Sequence, residues 1–166
     1  MESYDFGFMN LALAAAREAS TRGEVPVGAV IVSDGAVVGS GYNCREERQN
    51  PLGHAEIMAI QEASTALRSW RLDQCDIYVT LEPCVMCVGA ILQARLRRLV
   101  FGCLDPKAGA VETLYRLCED QRLNHQLPVT SGVLAKESSL LLSAFFSRLR
   151  TAKARFPKNG DVAEPG

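Results

Sequence analysis

Cys75-Asp76-Ile77-Tyr78-Val79-Thr80-Leu81, followed at once by Glu82-Pro83-Cys84-Val85-Met86-Cys87, is the stretch that decides how this chain folds. Cys75, Ile77, Val79 and Leu81 alternate with Asp76, Tyr78 and Thr80, and that period of two is the signature of a β-strand. Pro83 then stands where a first helical residue often does, and the run behind it predicts a helix to about Ala94. A strand passing into a helix begins a crossover that packs back onto a sheet face. The junction also carries chemistry. Cys84 and Cys87 are three apart at a helix start, so their sulfurs face the same way and the helix N-terminal field favours their thiolates.

Working outward, Leu96 to Phe101 reads as a further strand, Val111 to Cys118 as a short helix, Val129 to Val133 as a fifth strand and Ala135 to Arg155 as a last helix. Upstream, Asp5 to Ser20 is alanine-rich, with Phe6, Met9, Leu13 and Ala16 spaced for one helical face. Val25 to Val32 is almost continuously apolar, as a strand covered on both faces would be. Ser33-Asp34-Gly35-Ala36 marks a tight turn into Val37 to Asn43, which predicts a hairpin. Beyond Pro51 and Gly53, Ala55 to about Leu67 is helical, with Ile57, Ile60 and Leu67 on one stripe. The expected class is α/β: a three-layer α/β/α arrangement with a mixed five-stranded central sheet and helices on both faces. One domain over residues 1–156 is expected, with residues 157–166, rich in proline and glycine, as a disordered tail.

Composition narrows the possibilities. At 166 residues, 48% hydrophobic and 22% charged, the chain can bury one sizeable core. A formal charge of -1 argues against a surface that binds nucleic acid everywhere, while leaving room for a local basic patch. No apolar run approaches the roughly 20 residues of a membrane span, and Met1-Glu2-Ser3-Tyr4-Asp5 lacks a basic leader, so a cytoplasmic protein without a membrane partner is expected. In such a compartment the six cysteines stay reduced. Cys44, Cys75, Cys103 and Cys118 then read as small buried residues.

His54-Ala55-Glu56 supplies the other half of the site. With Cys84 and Cys87, His54 makes a set of three donors of the kind Zn²⁺ prefers, leaving a fourth tetrahedral position for chemistry. Glu56 is then free to move protons. Two residues apart in a regular helix is about 200 degrees, so His54 and Glu56 can serve one site only across a helix entry, with His54 in the turn before it. Pro51 and Gly53 make that turn. The competing explanation is a structural zinc closed by Cys103 or by His125, the other histidine; it gives no reason for Glu56.

Taken together, the HxE and PCxxC motifs match zinc nucleobase deaminases. The wider sequence closely resembles the bacterial tRNA-specific adenosine deaminases of the cytidine deaminase-like fold. That resemblance runs from about Phe6 to Arg155 and includes Glu24-Val25-Pro26-Val27-Gly28-Ala29-Val30, Gly41-Tyr42-Asn43, Val100-Phe101-Gly102, Asp105-Pro106-Lys107-Ala108-Gly109-Ala110, Leu123-Asn124-His125 and Phe145-Phe146. It implies one Zn²⁺ per subunit on His54, Cys84 and Cys87, and Glu56 as the catalytic proton carrier. The implied reaction is hydrolytic deamination of adenosine to inosine at the wobble position of a tRNA anticodon, commonly in an arginine tRNA. It further implies Asn43 as a base contact, Ala55 as a backbone donor, Val27 and Pro26 as pocket lining, and a homodimer. The alternative activity is deamination of a free base such as guanine or cytosine.

Substrate size must come from elsewhere in the chain. Between Phe145 and Gly160 stand Arg148, Arg150, Lys153, Arg155 and Lys158 with no acidic residue, a patch suited to the phosphates of an anticodon stem-loop. The same run also suits an ordinary solvated helix face. Phe146 is a candidate for base stacking, whereas Leu141, Phe145 and Leu149, at i, i+4 and i+8, read as core. The partner expected is therefore tRNA and not DNA. One departure from the family stands at Val111-Glu112-Thr113, which places an acidic side chain in an expected RNA-contacting loop.

Overall fold

The computed structural model describes residues 2–156. In chain order it has α1 (Ser3–Thr21), β1 (Gly28–Ser33), β2 (Ala36–Tyr42), α2 (Arg45–Arg48), α3 (Ala55–Leu67), β3 (Cys75–Leu81), α4 (Val85–Gln93), β4 (Arg98–Cys103), β5 (Val129–Thr130) and α5 (Ala135–Arg155). The expected tail at 157–166, including Lys158, lies outside the described residues.

The strands form one sheet in the order β2-β1-β3-β4-β5. The β1–β2 hairpin and the β1–β3 pair are antiparallel, and β3, β4 and β5 run parallel. The sheet is therefore mixed, as the hairpin followed by crossovers requires. Val30, Val32, Tyr78 and Val100 point to the side holding Met9 and Ala12 of α1 and Val133 before α5. Ala29, Ile31, Ile77, Val79, Leu99 and Phe101 point to the opposite side, where Ala55, Ala59 and Ala63 of α3 and Val88 and Ile91 of α4 pack. This is the three-layer architecture expected. Among the described residues no helix is long and apolar enough to cross a membrane.

Two contacts fix the layers. α3 presents alanines to the sheet, and β2 answers with glycines. A methyl group on Gly39 would lie 2.4 Å from the Ala59 carbonyl oxygen, and one on Gly41 would lie 2.3 Å from that of Ala55. On the other side the fully buried Asp5 of α1 receives both guanidinium nitrogens of Arg98 (3.0 and 2.9 Å) and the Tyr78 hydroxyl (2.9 Å). Arg98 continues to Thr130 of β5 at 2.9 Å, so one carboxylate ties α1 to three strands. Burial would raise the Asp5 carboxyl, but hydrogen bonds from Arg98, the Glu2 backbone and Tyr78 hold it below its ordinary value.

Several expectations need correcting. Val111 to Cys118 is not a helix: residues 110–113 form turns, followed by a single 3-10 turn at Leu117–Glu119. The stripe of α3 that is buried is Ala55, Glu56, Ala59 and Ala63; Ile57 and Ile60 are half-buried and Leu67 is 41% exposed, because the glycine-lined sheet admits only small side chains there. Of the expected core series on α5, Phe145 is buried but Leu149 is 42% exposed. β4 begins and ends two residues later than read, β5 is only two residues long, and α2 had no expectation at all.

Candidate metal centre and active site

His54 and Cys84 are the N-cap residues of α3 and α4, both in extended backbone conformation. Pro83 thus precedes the cap instead of opening the helix, and Cys87 sits in the first turn of α4. His54 Nδ1 lies 3.6 Å from Cys84 Sγ and 3.5 Å from Cys87 Sγ. Zinc bonds of about 2.0 Å to nitrogen and 2.3 Å to sulfur at a tetrahedral angle place the two donor atoms roughly 3.6 Å apart. The three donors are spaced as a zinc ion would space them. Among the described residues this is the one group of three or more metal-type donors gathered within 4.8 Å.

The other candidates for a closing ligand are elsewhere. Cys103 Sγ faces the Thr80 carbonyl at 3.7 Å, and His125 Nε2 is 2.9 Å from the Leu96 carbonyl. Neither joins the cluster, so three donors are gathered, which is the open kind of site.

The imidazole and the two thiols are linked in their charge. A hydrogen bond from Cys87, then the proximity of His54, draw the Cys84 thiol down to about 4. Cys87 moves the other way, pushed up by the same pairing and by burial. Hydrogen bonding to Cys84 raises His54. Two sulfurs this close compete for one negative charge unless a metal lies between them, and Zn²⁺ deprotonates both.

Glu56 is 4% exposed, one residue into α3 past Ala55. Burial pushes its carboxyl up, countered only by its own backbone N–H, the charge of His54 and the Cys87 thiol. A carboxylate so placed holds a proton more readily than an exposed one, as a proton carrier requires.

His54, Ala55, Glu56 and Cys84 line one side of a cavity of about 210 Å³. Its remaining walls are Val25, Val27, Asn43, Arg45, Leu81, Glu82, Asp105 and Ala108. Of the residues expected to meet substrate, Val27, Asn43 and Ala55 are therefore in place. Pro26, Phe146, Arg148 and Arg150 are not among the lining residues. Asn43 spends one amide hydrogen on the Val25 carbonyl (3.1 Å) and one lone pair on the Arg45 N–H (3.2 Å), which leaves a donor and an acceptor for a ligand. Phe146 is 40% exposed and meets Phe145 edge to face at 5.5 Å. Arg148 bonds Ser20 Oγ at 2.9 Å, on the last turn of α1 before the chain enters the cavity wall at Val25.

Sequence reasoning missed two carboxylates that build these walls. Glu24, 2% exposed, accepts the N–H groups of Glu46 and Glu47 and so holds α2, with Arg45 at its start, against the cavity edge. Glu82, also 2% exposed, accepts the N–H groups of Asp105 (3.0 Å), Val111 (3.1 Å), Glu112 (2.7 Å) and Thr113 (2.9 Å) and the Thr113 hydroxyl. Burial works against its charge, but the Thr113 hydroxyl and the loop N–H groups outweigh it and keep the carboxyl low. Its place directly before Pro83 was the available signal. What it receives lies some thirty residues on, and no local pattern announces that.

Comparison with known proteins gives four results. The family model for the cytidine and deoxycytidylate deaminase zinc-binding region matches residues 3–103. A tRNA-specific adenosine deaminase of Bacillus subtilis is 46% identical over 152 residues, 92% of this chain and 94% of that protein. Among solved structures, one from a study of A-to-I editing by tRNA:A34 deaminases at the wobble position superposes with a TM-score of 0.79 at 47% identity, covering 82% of this chain and 99% of that one. A guanine deaminase from Nitrosomonas europaea, 22% identical with a TM-score of 0.71 over 86% of this chain and 84% of its own, shares the fold.

Proposed function

The chain belongs to the zinc-binding cytidine and deoxycytidylate deaminase family, among its tRNA-specific adenosine deaminases, and from that membership we propose that it converts the wobble adenosine of a tRNA anticodon to inosine. The observation that carries the reading is a buried proton-carrying glutamate and three zinc-type donors brought to one cavity by two helix starts.

His54, Cys84 and Cys87 are the residues that would hold a zinc ion, one per subunit. When bound, the ion is a Lewis acid that makes water acidic near neutral pH. Glu56 accepts the proton that water loses as its oxygen bonds to C6 of the adenine and delivers it to ring N1; it then takes the proton of the new C6 hydroxyl and passes it to the departing amino group as the C–N bond breaks. Ammonia leaves and inosine remains. The N–H of Ala55, in the first turn of α3, and the free amide atoms of Asn43 orient the base, with Val27 against its face. Arg148 and Arg150, with Phe146, belong to the face that meets the stem-loop, a surface that charge alone fits to phosphate.

Support for tRNA over a free base comes from the 46% identity to the tRNA enzyme, set against fold-level likeness to guanine deaminases. A homodimer in the cytoplasm, with residues 1–156 as one domain and an arginine tRNA as substrate, completes the proposal. The test is direct: incubate the protein with an arginine tRNA bearing unmodified wobble adenosine and, separately, with guanine, cytosine and adenosine. Inosine in the tRNA is expected. Ammonia from a free base with no inosine in the tRNA would refute it.

A further inference from the structure

Glu82 meets the loop after β4 with an unusual number of donors. Five hydrogen-bond donors from residues 105 to 113 converge on its two carboxylate oxygens. The loop also comes close enough to exclude any side chain at Gly109, where a methyl would lie 2.3 Å from that carboxylate. The same segment is stitched to the metal-bearing strand end: Gly109 forms a bridge with Cys84, and the Ala110 N–H bonds the Pro83 carbonyl at 2.9 Å. Asp105 in turn accepts the N–H groups of Lys107 (3.0 Å) and Ala108 (3.2 Å) through its own carboxylate. Asp105 and Ala108 are cavity walls.

We propose that Glu82 is a positioning residue for the substrate: its carboxylate gathers residues 105–113 so that Asp105 and Ala108 wall the cavity that Glu56 also lines, and so sets how tightly the RNA loop is gripped, while contributing nothing to metal retention. This rests on the tRNA reading above. It also explains how the segment accommodates the acidic departure at Glu112, for the loop is held through the Glu112 backbone N–H while the side chain is exposed.

The test compares wild type with Glu82→Gln, which keeps shape but offers one carbonyl oxygen where two collected donors, and with Thr113→Val, which removes only a hydroxyl donor and spares the fold. An anticodon stem-loop RNA with adenosine at the wobble position is the substrate. For Glu82→Gln we expect KM to rise about tenfold or more with kcat within roughly threefold of wild type, and for Thr113→Val a KM rise of about threefold. Zinc content should equal wild type in both, and faster amide hydrogen exchange should be confined to residues 105–113. An unchanged KM, a loss confined to kcat, or loss of zinc in Thr113→Val would overturn the assignment. Should the wild type leave the stem-loop unconverted, it is the tRNA reading that fails; slow exchange of the loop amides in Glu82→Gln would separately show that Glu82 does not order the loop.

Discussion

Glu56 and Glu82 are carboxylates of the same chemistry, both with little solvent exposure, in the lining of one cavity. They differ in what the protein gives them. Glu82 receives five donors and is held low. Glu56 is offered its own backbone N–H and a neighbouring thiol, and is pushed up. Burial alone therefore does not assign a role. A carboxylate saturated with donors is fixed in charge and serves as a fastener, while one left short of donors keeps a proton in play.

The largest expected effect breaks the comparison at its catalytic end. Glu56→Ala should keep zinc and lower the rate by about a thousandfold, the span of a lost general acid–base. Zinc content and inosine yield, measured on the same sample, decide it; metal loss would make Glu56 a ligand. A third buried carboxylate sharpens the contrast. Asp5→Asn should cost about 3 kcal/mol, because Arg98 loses its counter-charge in a largely buried place. Because the folded-state pKa of Asp5 is depressed, its contribution is complete above the unfolded value and is lost as pH falls through the folded one. Urea unfolding of both proteins should thus show the full gap at pH 7 and its progressive narrowing as the pH falls below about 4.

Gly41→Ala probes placement without touching either glutamate. It drives a methyl into the α3 backbone at Ala55 and should cost about 1–3 kcal/mol in a thermal melt, with weaker zinc retention against a chelator. The smallest effect lies away from the cavity. Replacing Arg148, Arg150 and Lys153 together should leave zinc and stability near wild type and reduce the salt dependence of RNA binding by a slope of about 2. An unchanged slope would return that patch to being a solvated helix face.

What could be read from the chain beforehand followed locality. The strand at Cys75–Leu81, the hairpin, and the need for His54 to stand outside the helix that carries Glu56 all came from spacings of a few residues. The error at 111–118 has the opposite cause. The N–H groups of Val111, Glu112 and Thr113, which a helix start would direct along its own axis, are taken by a side chain some thirty residues earlier. α2 was invisible for the same reason, since four residues lack a period and their N-terminal groups depend on distant Glu24. In α3 the larger apolar residues drew attention to the wrong stripe. The decisive partners were glycines on β2, which carry no hydrophobic signal.

That glycine–alanine seam has a mechanical side. Side chains in an ordinary core can change rotamer and absorb small displacements, but Gly39, Gly41, Ala55, Ala59 and Ala63 have no χ angles to turn. The helix bearing His54 and Glu56 is mounted on the sheet nearly backbone to backbone, a joint of very low compliance. Such a mount trades tolerance for precision: it accepts almost no substitution, and in return it keeps His54 and Glu56 in fixed register with the sheet as the rest of the molecule vibrates.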